Sequence, residues 1–230
     1  MARITDKIHT FSQGVTLVGG GPASLSLIQN VTKYAPNLVA ADGGANHLVG
    51  AQLIPSAIIG DLDSLDAVSE WADRIGDKLV HVEEQDSTDF QKCLARIDAP
   101  FFIGVGFLGG RLDHGLAALH ALVADPRPIV LLSDDDAVFA VHNEVRLSLP
   151  VGERISIFPL RRVEATVGAG LKYPVDGLKM EAGTQIGTSN ESAASTQSFA
   201  FDRPGATVFL NPDRIRDALQ ACGALSRPAI

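Results

Sequence analysis

Between residues 15 and 133 the chain alternates between two textures. Short apolar runs at 15–18, 38–41, 57–59, 79–82, 101–105 and 129–132 are separated by helix-like segments at 23–33, 45–53, 65–75, 88–97 and 112–124. Runs this short and this uniformly apolar suit strands buried on both faces. Strand, helix and strand in repetition predict an α/β domain: a parallel sheet with helices on both faces. One helix start is explicit. Thr88-Asp89-Phe90-Gln91 fits a capping box, with Thr88 at the cap and Gln91 three residues on. Asp89 then lies in the first turn, where its plainest role is to stabilise the positive end of the helix. The spacing of Leu112, Leu116 and Leu119 predicts a core-facing stripe.

Beyond residue 136 the helices stop. Runs at 138–141, 145–149, 154–158, 165–167, 184–188, 198–201 and 206–210 are punctuated by Gly, Pro, Asp and Asn, which predicts an all-β sandwich. A last helix is expected over 211–225, with Asn211 at its cap and Pro212 at its first position. The expected domains are therefore 1–136 and 137–230. A chain of 230 residues with 46% hydrophobic and 20% charged side chains can bury a core in each. Its net charge of −8 argues against a nucleic-acid surface, which needs clustered Lys and Arg. The two cysteines, Cys93 and Cys222, form no CxxC or Cys/His group, so neither zinc nor a disulfide framework is expected and a reducing cytoplasm is. Residues 1–14 lack the apolar centre of a signal peptide, and no apolar run approaches the roughly 20 residues that span a bilayer, so no membrane association is expected.

The chemistry is concentrated in the turns that follow the strands. Gly60-Asp61-Leu62-Asp63-Ser64 sends two carboxylates out of the third apolar run, where a Gly-led turn lets both converge on one hard cation. Asp42-Gly43-Gly44-Ala45-Asn46 follows the second run, Gln85-Asp86-Ser87-Thr88-Asp89 the fourth, and Gly109-Gly110-Arg111-Leu112-Asp113-His114 the fifth. In an open parallel sheet these turns share the carboxyl edge, where ligands bind. Magnesium carrying a substrate phosphate would offset the crowded acids. Arg111 offers a planar fork for phosphate oxygens, and Asp113 a metal ligand or a hydroxyl partner. Gly19-Gly20-Gly21-Pro22 is either an anion-binding turn or a tight strand-to-helix turn. The string from Gly104 to Gly109 matches GxGxxG, but it follows the fifth strand instead of the first, which argues against a dinucleotide enzyme; GxxxxGK[ST] is absent. In the β region, Ser189 and Asn190 either read a heterocycle edge or form a turn. His114 reads as structural, and His47, His81, His120 and His142 have no supporting pattern.

Taken together, DGGAN at 42–46, GDLDS at 60–64, QDSTDFQK at 85–92, GGRLDH at 109–114, GLKYP at 170–174 and GTSNE at 187–191 resemble the thiamine pyrophosphokinase family. The resemblance covers most of the chain. It implies an ATP- and magnesium-binding catalytic domain, a β-sandwich that binds thiamine, and a homodimer with its sites between subunits. The implied reaction moves pyrophosphate from ATP to the thiamine hydroxyl and releases AMP. Carried over by motif, Asp61, Asp63 and Asp89 would surround Mg2+, with Asp42 and Asp113 completing the acidic edge. Gln85, Lys92 and Arg111, with the glycines Gly43 and Gly110, would hold ATP, and Ser189 and Asn190 would read the thiamine ring. Asp89 and Asp113 are both candidate proton acceptors. Some members carry a late Trp that can stack on thiamine; here the only Trp is Trp71, and the late aromatics are Phe201 and Phe209. Two further readings are a pyrophosphokinase for another hydroxymethyl heterocycle, such as a pterin, and a non-catalytic sensor of nucleotide or thiamine diphosphate.

Overall fold

A computed structural model describes residues 9–49 and 53–226. The chain divides into two compact units, 1–118 and 119–230. This division falls before the change of sequence texture near residue 136. The reason is that Ile129–Leu132 pairs antiparallel with Ala137–Ala140, so the last of the early apolar runs belongs with the β region that follows it.

The first unit is built on five parallel strands in the order Phe102–Val105, Val15–Val18, Asn37–Ala41, Ala57–Gly60 and Leu79–His81. All five match their predicted runs to within a residue. Every residue of Val15–Val18, Ala57–Gly60 and Phe102–Val105 is buried, as strands covered on both faces require. The registers bring Val18 beside Ala40 and Val105, and Ala41 beside Ile59, so the carboxyl ends lie level.

The connecting helices carry the expected start signals, with instructive exceptions. Leu25–Val31 is capped by Ser24, which accepts from the Leu27 N–H at 3.2 Å. Asp89–Arg96 has the complete capping box: Thr88 Oγ1 accepts from the Gln91 N–H at 3.4 Å, and Gln91 Oε1 accepts from the Thr88 N–H at 3.1 Å. The helix expected over 45–53 is a 3₁₀ turn, Asp42–Ala45, running into Asn46–Val49, and residues 50–52 lie outside the described residues. The helix expected from residue 65 starts at Val68, because Ala67 at φ 52° is left-handed and cannot belong to it.

Leu112–Ala124 corrects the predicted stripe. Leu112 and Leu116 are 78% and 51% exposed, whereas Gly115, Ala118, Ala121 and Leu122 are buried. Small residues form the core face of this helix and permit close approach. Leu112 and Leu116, two of the three leucines of the predicted stripe, point away.

The second unit holds two antiparallel sheets, as the sandwich prediction requires. One has the order Gly187–Glu191, Arg154–Pro159, Ala206–Leu210, Ala137–Ala140 and Ile129–Leu132; the other Val145–Leu147, Gln197–Phe201, Val163–Ala169 and Lys179–Met180. Side chains alternate as a half-buried strand demands: Val145 and Leu147 are buried and Arg146 between them is exposed. The strand expected at 184–188 lies at Gly187–Glu191, so Ser189 and Asn190 are strand residues. Pro212–Arg214 is a 3₁₀ turn with Pro212 first, followed by Ile215–Ala221. Asn211 makes no side-chain cap; its amide lies between Arg154 Nε, at 3.2 Å, and Glu153 Oε2, at 2.9 Å. Among the described residues no helix is long and apolar enough to cross a membrane.

Candidate active site

The turns at the carboxyl edge of the first unit enclose a cleft of about 830 Å³. Gly19–Pro22, Asp42, Gly43, Asp61, Asp63, Gln85, Asp89, Lys92, Gly110 and Arg111 all line it. Glycine makes this convergence possible. A Cβ on Gly44 would collide with the Val18 carbonyl, and Gly106, at φ 75°, packs its backbone against Gly19. The GxGxxG-like string therefore supports the glycine turn at 19–21, whose Gly21 N–H donates to the Gly106 carbonyl at 2.9 Å.

Three carboxylates meet at the centre. Asp42 leaves its strand at φ 45°, and a Cβ on Gly60 would come within 2.6 Å of the Asp42 Cβ. Gly60 thus admits Asp42 beside the next turn, where Leu62 at φ 65° swings Asp61 and Asp63 round. Asp42, Asp61 and Asp63 each offer an oxygen, and these oxygens lie within 4.8 Å of one another. Asp42 is only 2% exposed. Its Oδ2 accepts from the Ser64 N–H at 3.3 Å, but its Oδ1 is buried with no hydrogen-bond partner among the described residues. A buried carboxylate oxygen left bare costs several kcal/mol unless a cation compensates it. Three hard oxygen donors this close together fit magnesium.

Beside the cluster lies a buried cation. Lys92 is 3% exposed and its Nζ donates to Asp61 Oδ2 and Asp89 Oδ1, both at 3.1 Å. Gln85 Nε2 donates to the same Asp61 oxygen at 3.1 Å. Burial opposes the Asp61 charge, but the bonds from Lys92, Gln85 and the Asp63 N–H outweigh it and hold the carboxyl below its usual range. At Asp89 the balance reverses. Burial pushes its carboxyl above the usual range, and Lys92 offsets this only in part. Asp89 is thus set apart from the three-carboxylate group, as a less acidic carboxyl in the same cleft.

Asp113 is placed differently. It forms an exposed bidentate pair with Arg111, at 2.6 Å and 3.2 Å, and does not line the cleft, although Arg111 and His114 do. The Arg111 hydrogen bonds hold its carboxyl below the usual range.

In the second unit, Asn190 is 5% exposed and its amide is fully engaged with backbone. Oδ1 accepts from the Tyr173 N–H at 3.0 Å and the Glu191 N–H at 2.8 Å, and Nδ2 donates to the Tyr173 carbonyl at 2.7 Å. It clamps the 170–174 loop to its strand. Ser189 is exposed at φ 58°, with its N–H donating to Ser156 Oγ at 3.0 Å. Tyr173 stands 60% exposed beside Lys172, which pairs with Glu191 at 3.0 Å. Another cavity, lined by residues including His142 and Cys222, measures about 40 Å³, too small for a heterocycle.

Sequence reasoning missed several contributors to the cleft. His47 Nε2 lies 2.9 Å from the Gly21 carbonyl and ties the glycine turn to Asn46–Val49. Phe107 packs on Phe90 with the rings tilted by 43° and their centroids 4.5 Å apart, and both line the cleft. Nothing in the spacing of these residues marks them; only the convergence of the turns does.

Two domain families match the chain. Residues 28–131 match the thiamin pyrophosphokinase catalytic domain, and residues 142–205 its vitamin B1 binding domain. The chain is 32% identical to thiamine pyrophosphokinase 3 of rice over 75% of this chain and 79% of the relative. It is 30% identical to thiamin pyrophosphokinase 1 of Caenorhabditis elegans over 77% and 81%. Among solved structures, thiamin pyrophosphokinase from Geobacillus thermodenitrificans superposes with a TM-score of 0.70 at 26% identity, covering 86% of this chain and 96% of the other. The yeast enzyme shares the fold, with a TM-score of 0.75 at 17% identity over 94% and 95%.

Proposed function

Given that the chain belongs to the thiamine pyrophosphokinase family, we propose that the acidic cleft of the first unit is where it carries out the family's reaction. The chain is a transferase that moves pyrophosphate from ATP to thiamine. The thiamine hydroxyl oxygen bonds to the β-phosphorus of ATP, the bond from that phosphorus to the α,β-bridging oxygen breaks, and AMP leaves. Such a transfer needs positioning and charge neutralisation more than a reactive side chain. The observation that carries the assignment is the buried, unpartnered Asp42 Oδ1 beside Asp61 and Asp63.

Asp42, Asp61 and Asp63 would hold Mg2+. When bound there, the ion neutralises phosphate charge and orients the β-phosphoryl group. Gln85 and Lys92 fix Asp61, and Lys92 keeps a buried positive charge next to the phosphates. The backbone of Gly19–Gly21, Gly43 and Gly110 gives ATP close access, and Arg111 offers its fork from the exposed rim. Asp89 is the better proton acceptor for the thiamine hydroxyl. Its carboxyl is held above the usual range, whereas Arg111 makes Asp113 a weaker base.

Residues 1–136 act as the catalytic domain and 137–230 as the thiamine-binding domain, with Ser189 presented to the acceptor and Asn190 holding the 170–174 loop. The working enzyme is a cytoplasmic homodimer that binds no nucleic acid. Phosphorus NMR of ATP, magnesium and thiamine with the purified chain tests the chemistry: AMP and thiamine diphosphate should appear together, without ADP. Formation of ADP, or transfer to a hydroxymethyl pterin with none to thiamine, would overturn it.

A further inference from the structure

The turn that carries Asp61 and Asp63 is made of unfavourable backbone. Leu62 at φ 65° and Ala67 at φ 52° are both left-handed, and no strand or helix covers residues 61–67. Each such residue is strained and persists only where its surroundings dictate it. Without support the turn would sample other conformations. The oxygens of Asp61 and Asp63 would then keep no fixed distance from Asp42, which belongs to the neighbouring turn.

Two side chains of that neighbouring turn supply the support. Asp42 Oδ2 takes the Ser64 N–H, as described, and Asn46 adds a two-point clamp. Its Nδ2 donates to the Ser64 carbonyl at 3.0 Å, and its Oδ1 accepts from the Asp66 N–H at 3.0 Å. One planar amide thus engages the acceptor of residue 64 and the donor of residue 66. Asn46 is itself fixed, because its own N–H donates to the Gly43 and Gly44 carbonyls and closes the 3₁₀ turn that begins at Asp42.

We infer that Asn46 is a positioning residue for the carboxylate cluster: its amide locks the Asp61–Ser64 turn to the Asp42–Ala45 turn and so sets the spacing at which Asp42, Asp61 and Asp63 receive a divalent cation. This rests on the reading of that cluster as the cation site, which the bare Asp42 Oδ1 supports independently. The residue type is restricted. An aspartate at 46 would still accept from Asp66 but would repel the Ser64 carbonyl, and an alanine would abandon both groups. The Asp66 side chain plays no part, since only its N–H is used.

Manganese(II) binding to the intact chain, followed by electron paramagnetic resonance without substrates, tests the inference apart from activity. Wild type and Asp66→Ala should bind alike. Asn46→Ala should bind at least tenfold more weakly, the usual effect of losing a group that orients metal ligands. In turnover, the same variant should need correspondingly more magnesium for half-maximal rate, recover much of its rate in excess magnesium, and keep its thiamine KM within twofold. Asn46→Leu preserves volume while removing both hydrogen bonds, and reports the same loss if Asn46→Ala does not fold. A folded Asn46 variant that binds manganese within twofold of wild type would overturn the role of Asn46 alone. Wild type that binds no manganese would overturn the cation site and this inference with it.

Discussion

Asn190 and Asp42 show what a residue's type does and does not reveal. An amide that reads a heterocycle and one that clamps a loop have the same donors and acceptors, and so Ser189 and Asn190 were legible as hydrogen-bonding residues of either kind, while the destination of Asn190 was not. Its three hydrogen bonds to the backbone of Tyr173 and Glu191 make a structural prediction. Asn190→Ala should lower the unfolding free energy by about 1–3 kcal/mol, because buried backbone groups lose their partners. Urea denaturation measures this, and ATP affinity should stay unchanged; an unaltered midpoint would remove Asn190 from the loop-holding role. Ser189 is different, being exposed and left-handed. Ser189→Ala should leave stability within about 0.5 kcal/mol while raising the KM for thiamine and not that for ATP; equal KM values for wild type and variant would exclude its hydroxyl from acceptor binding. Asp42 was visible as one more acid on the edge. Its burial depends on a positive φ and on the missing Cβ of Gly60, neither of which sequence spacing encodes.

At the scale of elements, periodicity identified the strands because burial on both faces leaves a continuous apolar run, and Val15–Val18, Ile129–Leu132 and Ala206–Leu210 coincide with their predicted spans. It misread Leu112–Ala124 because a helix that packs through Gly115, Ala118 and Ala121 buries its least conspicuous residues. It also started the 65–75 helix too early, since Ala67 carries no sign of its left-handed backbone. Ala67→Gly should therefore stabilise the fold by about 0.5–1 kcal/mol, the relief of strain exceeding the added freedom of the unfolded chain. A lower denaturation midpoint would contradict that balance. The junction of Arg154–Pro159 with the final helix gives a pH-dependent prediction. Glu153 pairs with Arg214 and accepts from Asn211, and the Arg214 bond holds its carboxyl below the usual range against the effect of burial. A carboxyl depressed in the folded state contributes stability above its unfolded value, about 4.3, and loses it as the pH falls through the folded value. Glu153→Gln should thus cost about 1 kcal/mol near neutrality, with the gap to wild type closing below about pH 4. A gap constant from pH 7 to pH 3 would show that the charge is not what matters.

For the whole molecule, residues 28–131 match a catalytic domain and residues 142–205 a vitamin B1 binding domain. The change from α/β to antiparallel β was legible because acid-bearing turns and short punctuated strands differ in texture, but the compact units divide after residue 118 and not near 136, since Ile129–Leu132 pairs with Ala137–Ala140. A homodimer should show twice the chain mass of 24.2 kDa by light scattering at micromolar concentration; a mass that stays at one chain under assay conditions would contradict it. On the proposed function, the cleft around Asp42, Asp61 and Asp63 performs thiamine-dependent pyrophosphate transfer. The most direct measurement is AMP release from ATP, with and without thiamine, by wild type and by Asp42→Asn at saturating magnesium, with thermal unfolding recorded in parallel. Wild type should release AMP only when thiamine is present. Asp42→Asn should stay folded, because a bare buried charge has been removed, yet lose about two to three orders of magnitude in rate. A folded Asp42→Asn variant that releases AMP at close to the wild-type rate would remove the carboxylate cluster from the reaction.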